Sequence, residues 1–143
     1  EQYGNITLSH SIAYKHPDFC DFKGDEKTGQ ARILDRLTDF DISLEVVDKN
    51  LKELVQSTGY PGWDYVSANP YKLGSLNGYK VNQSIEGCGK DVYYFTLSPT
   101  KTLVVDRALT QFNQGISILP GIIDPGQSDD IFERILSTFK LLK

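Results

Sequence analysis

Apolar and polar residues alternate with a period of two over much of this chain, the mark of strands with one wet face. Ile6, Leu8, His10, Ile12 and Tyr14 alternate with Thr7, Ser9, Ser11 and Ala13, and His16-Pro17 ends the run. Residues 34–47 alternate most clearly, with Phe40, Ile42, Leu44 and Val46 on one side and Asp39, Asp41, Ser43 and Glu45 on the other. The acidic side must meet water, which places this strand in an antiparallel sheet. Residues 71–76 and 79–85 flank Asn77-Gly78, a type I′ turn signal, and 92–97 and 102–109 flank a second turn, Ser98-Pro99-Thr100-Lys101. With 86–91 joining the two pairs, the result is a meander of four strands.

The period changes to that of a helix twice. Asn50-Leu51-Lys52-Glu53 has the form of a capping box, Leu51, Leu54 and Val55 give a short apolar stripe, and Gly59-Tyr60-Pro61-Gly62 stops it. A last helix is expected from Asp130 to Leu141. Asp130 and Glu133 would cap it, with Asp129 and Asp130 at the positive end and Lys140 and Lys143 at the negative end. Ile131, Phe132, Ile135, Leu136 and Phe139 form a broad stripe that must lie on the sheet. Residues 18–30 and 60–70 read as loops. Residues 110–127, broken by Gly115, Pro120, Gly121, Pro125 and Gly126, read as an ordered, partly buried connector. With no repeat or linker, residues 1–143 read as a single α+β domain. Its antiparallel meander is covered by helices, the C-terminal one packed on the sheet.

Two cysteines bear on the compartment. The spacing of Cys20 and Cys88 fits no CxxC metal or redox pair. Their settings, Asp18-Phe19-Cys20-Asp21 and Glu86-Gly87-Cys88-Gly89, are too polar for buried free thiols and too acidic to favour a thiolate. A disulfide between two distant loops remains, worth about 4 kcal/mol from chain entropy. It implies an oxidising, extracytoplasmic home, secreted or anchored to the cell envelope. The chain starts at Glu1 and holds no Met, so a signal segment or an N-terminal anchor, as in a lipoprotein, is expected to have been removed; the alternative is a trimmed cytosolic fragment. No stretch is apolar enough to span a membrane. The net charge of −4 and the scattered Lys and Arg exclude the clustered basic face of a nucleic-acid partner.

The final segment Phe132-Glu133-Arg134-Ile135-Leu136-Ser137-Thr138-Phe139-Lys140 resembles the closing helix, with its ILSTFKF-like sequence, of small bacterial cell-envelope proteins of unknown function. Those proteins are similar to the PsbP-like fold class, named for an extrinsic subunit of photosystem II. The strand ending Tyr14-Lys15-His16-Pro17 resembles their opening strand, and Leu76-Asn77-Gly78-Tyr79 their middle hairpin. The resemblance covers about a third of the chain and implies a helix-covered antiparallel sheet in the envelope. It transfers no functional residue.

Nucleotide, zinc-protease and serine-hydrolase motifs are absent from the sequence. His10 falls in the apolar register and reads as a satisfied, partly buried side chain. His16 with Asp18 and Asp21 invites a metal, and Asp18, Asp21, Asp25 and Glu26 invite calcium, but the spacing matches no ligand pattern and a solvated loop is the ordinary reading. Neither a metal nor a cofactor is therefore expected. Asp39, Asp41 and Glu45 could form the carboxylate pair of a glycosidase, yet acids two apart on one strand are ordinarily its water side. Asn5-Ile6-Thr7 and Asn82-Gln83-Ser84 are glycosylation sequons that arise often by chance. The aromatics Tyr60, Trp63, Tyr65 and Tyr71 are the best binding surface, unless they plug the sheet's edge. The expectation is a non-enzymatic binding or accessory domain whose partner is an envelope protein or other envelope component. A small-ligand or metal-binding domain is the alternative, and a small hydrolase a more distant one.

Overall fold

Long alternating segments pair into a single antiparallel sheet. The computed structural model describes residues 4–21, 24, 28–57, 68–110 and 116–139. Strands β1 (Ile6–Pro17) and β2 (Ile33–Val47) form a hairpin. β3 (Ala68–Leu73), β4 (Leu76–Ile85), β5 (Cys88–Ser98) and β6 (Lys101–Ala108) form the four-stranded meander. The sheet order is β1-β2-β6-β5-β4-β3, so the chain crosses from β2 to the far edge and the meander then returns to β2. Helix α1 (Leu51–Ser57) begins this crossing, capped by the Asn50 side chain, which accepts from the Glu53 amide at 2.9 Å. Leu51 and Leu54 pack against Val81, Val92 and Tyr94 on one face. Helix α2 (Pro125–Thr138) covers the other, placing Phe132 and Leu136 among Phe40, Ile42, Leu44, Leu76, Tyr93, Phe95, Leu103 and Val105. Central strand β5 has apolar cover on both faces, which explains its unbroken buried run Val92-Tyr93-Tyr94-Phe95.

Three local expectations are corrected. The β3–β4 turn is not at Asn77-Gly78. Leu73 pairs with Leu76, so the turn is Gly74-Ser75, led by Gly74 at φ +59°, as a primed two-residue turn with leading glycine requires. Gly78 lies inside β4, where an added Cβ would stand 1.6 Å from the Tyr94 carbonyl oxygen; its glycine serves close strand approach. Type I′ geometry belongs instead to Glu86-Gly87, with φ of 52° and 80°, so Cys88 already starts a strand.

Helix α2 begins at Pro125, not Asp130. Proline's fixed φ suits the first helical position, and Asp124 and Gln127 make the capping box: the Asp124 carboxylate accepts from the Gln127 amide at 2.9 Å, and the Gln127 side chain from the Asp124 amide at 3.1 Å. Asp130 and Glu133 are therefore interior helix residues. Lys140 and Lys143 lie outside the described residues.

Asp39 does not face water. Opposite β1 the register slips between Thr38 and Phe40, and this bulge leaves Asp39 unpaired in the ladder and turned inward. Its side chain is wholly buried, 2.7 Å from His10 Nδ1, and accepts from the Ile123 amide at 2.6 Å. One carboxylate thus ties β1, β2 and the connector entering α2. His10 is satisfied as expected, but its side chain is 43% exposed.

Candidate functional site

The meander's register gathers charges on the face that α2 covers. Arg107, Asp91 and Asn82 are direct neighbours across β6, β5 and β4, and Lys80 lies opposite Tyr93. Asp91 is held between two donors, with Lys80 Nζ at 2.9 Å and Asn82 Nδ2 at 2.7 Å. The first turns of α2 bring Ser128 and Asp129 over Arg107, whose guanidinium donates to them at 2.9 and 2.7 Å. Both cations rest on aromatic rings: Arg107 is 4.7 Å from the Phe132 centroid and Lys80 5.5 Å from that of Tyr93. Lys80, Asp91, Tyr93, Arg107, Ser128 and Asp129, with Asp39 and Thr110, line a recess of about 430 Å³, within the range of small-molecule sites. Burial opposes the Lys80 charge, but hydrogen bonding to Asp91 and the proximity of Tyr93 outweigh it and raise its pKa. Lys80 is therefore a fixed cation. The recess can offer charge-assisted hydrogen bonds of both signs from preset positions.

Of the aromatic surface read from the sequence, Tyr60, Trp63 and Tyr65 lie outside the described residues. Tyr71 is half-buried, edge-on to Tyr93 with centroids 4.9 Å apart, so much of its ring belongs to the core. Burial, followed by Tyr93 and Glu133, raises its phenol pKa. Tyr71 also lines a groove of about 400 Å³ at the β3 edge, with Pro70, Lys72, Asn77, Tyr79 and Leu51.

Cys20 and Cys88 are bonded, joining the loop after β1 to the first residue of β5. The loop is organised by the carboxylates considered for metal binding. Asp18 accepts from the Cys20 amide at 3.0 Å and pairs with Arg32 at 2.6 Å; Asp21 accepts from the amides of Gly24 and Arg32. Asp25 and Glu26 lie outside the described residues. His16 is buried rather than solvated, stacked between Tyr14 and Phe19, with its ring nitrogens 2.8 Å from the Pro17 and 3.2 Å from the Arg36 carbonyl oxygen. Among the described residues no three His, Cys, Asp or Glu side chains are gathered to hold a metal, and no helix is long and apolar enough to cross a membrane. The glycosidase pairing is also unmade, because the bulge turns Asp39 to the α2 face while Asp41 and Glu45 alternate onto the other.

The Arg32 hydrogen bond, partly opposed by burial, holds the Asp18 carboxyl below its ordinary range. A pKa depressed by folding gives stability that is complete above the unfolded value and lost as pH falls through the folded one. Asp18→Asn is expected to lower stability at neutral pH by at most about 1 kcal/mol, the range of a solvent-screened pair. The difference from wild type should close as pH drops below about 4, measured by urea midpoints across the acid range.

The recess is the candidate site that sequence reasoning missed. Part of its signal was present: the turn at Glu86-Gly87 sets Asn82 opposite Asp91, whereas the turn at Pro99-Thr100 alone would set Asp91 opposite Ala108, and the bulge between Thr96 and Ser98 shifts Arg107 into that place. Comparison of the chain with protein-family models, curated proteins and solved structures finds no match.

Proposed function

We propose that this protein is a non-enzymatic binding or accessory domain of an extracytoplasmic compartment, holding a polar group of its ligand or partner in the recess beneath α2. One observation carries this reading: two cations preset on aromatic rings share an open recess of about 430 Å³ with carboxylates. Positioned in advance, these groups lose little entropy on binding, which favours recognition. The Cys20–Cys88 bond supports a secreted or envelope-anchored home, where such bonds persist. The PsbP-like resemblance belongs to the same proposal. The antiparallel sheet with a C-terminal helix packed on it supports it.

A thermal-shift screen with amino acids, sugars, carboxylic acids and phosphates tests the recess. At least one class should raise the melting temperature, since ligand at a hundred times its Kd adds about 2.7 kcal/mol. The rise should vanish in Lys80→Ala. Stabilisation by no class, or equal stabilisation of the variant, would contradict a binding recess.

A further inference from the structure

We infer that the recess selects a zwitterion with adjacent charges, a free α-amino acid, by exchanging one internal ion pair for two external ones; this rests on the recess being a binding site. The carboxylates around it are not held equally. Asp91 is fixed by Lys80 and Asn82, and Asp39 by His10 and the Ile123 amide. Asp129 reaches Arg107 from α2 with 65% of its side chain in solvent, while the Arg107 side chain is only 16% exposed. A pair with one partner so exposed is readily exchanged.

The two halves of the exchange are unfavourable alone. A bare carboxylate taking Arg107 from Asp129 would enter a recess that Asp129, Asp91 and Asp39 also line, against like charge. A bare ammonium taking Asp129 would strip the largely buried guanidinium of its counter-ion, the costlier result. A ligand carrying both charges leaves neither unpaired. Its carboxylate takes the guanidinium fork and its ammonium takes Asp129. Phe132 and Tyr93 keep Arg107 and Lys80 in place throughout, and the recess has room for a side chain as well.

The test is an NMR titration of the ¹⁵N-labelled domain, wild type and Asp129→Asn, with a panel of neutral α-amino acids and with acetate and methylammonium. In wild type at least one amino acid should shift the amides of Asp91, Arg107, Ser128 and residue 129, binding about tenfold or more tighter than either half-ligand. In Asp129→Asn its advantage over acetate should disappear. Half-ligands binding as well as the amino acids, or an advantage that survives Asp129→Asn, would overturn the zwitterion inference and leave the recess a binding site. Silence from the whole panel would also overturn the inference, and the thermal-shift screen with its other classes then decides the recess separately.

Discussion

Phe132→Ala is expected to destabilise the domain by about 3–5 kcal/mol, the usual cost of emptying a buried phenylalanine site. Phe132 is 1% exposed and lies at the centre of the contact between α2 and the sheet, its ring 4.8 Å from that of Tyr93. Neighbouring strands are fixed in the ladder and cannot close the void. Small domains are stable by only about 5–15 kcal/mol, so the loss is a large fraction of the total. A fall in melting temperature on the order of 10–20 °C should follow. The variant should also lose affinity at the recess, because the ring beneath Arg107 is gone. Ile135→Ala, at a partly buried position on the same helix, is the control and should cost less. A Phe132→Ala protein as stable as wild type would show that α2 does not close the core.

The second large effect is expected from opening the disulfide. The bond spans 68 residues of sequence and fastens an exposed loop to the start of the central strand. Removing such a bond from a small domain typically costs about 2–5 kcal/mol, chiefly by freeing the unfolded chain. The double variant Cys20→Ser/Cys88→Ser should unfold at lower urea concentration than wild type, and reductant should bring wild type down to the same midpoint. The native sheet should persist in the variant, since the core of Phe40, Phe95, Leu103, Val105 and Phe132 contains neither cysteine. An unchanged midpoint would mean that the bond does not brace the fold.

The strands were legible because their physics is local. One buried face imposes a period of two, and residues 40–47 show it without help from distant contacts. The disulfide was legible too, by elimination of the other roles that its polar setting could support. What failed were positions where two rules competed. Asn77-Gly78 carries the strongest turn signal, but the Leu73–Leu76 pairing gave the turn to Gly74-Ser75, and Gly78 was spent on strand approach. Pro125 and Gly126 read as breakers, yet proline at the first helical position starts a helix, and Asp124 with Gln127 caps it.

The candidate site depended on longer-range facts. A bulge at Asp39 cannot be read from alternation, since Asp39 and Phe40 pointing to the same face contradicts the rule that located the strand. Lys80, Asp91 and Arg107 each look like ordinary surface charges in their own segments. They become neighbours only through the register of three strands, and Asp129 joins them only once α2 docks.

The extracytoplasmic reading stands or falls with the state of Cys20 and Cys88 in the cell. The decisive measurement is alkylation of the protein in its native source under denaturing, non-reducing conditions, followed by intact-mass analysis. Neither cysteine should take up the reagent, and digestion should yield one peptide pair joined through residues 20 and 88. Two alkylated thiols would contradict the reading and return the domain to a reducing compartment.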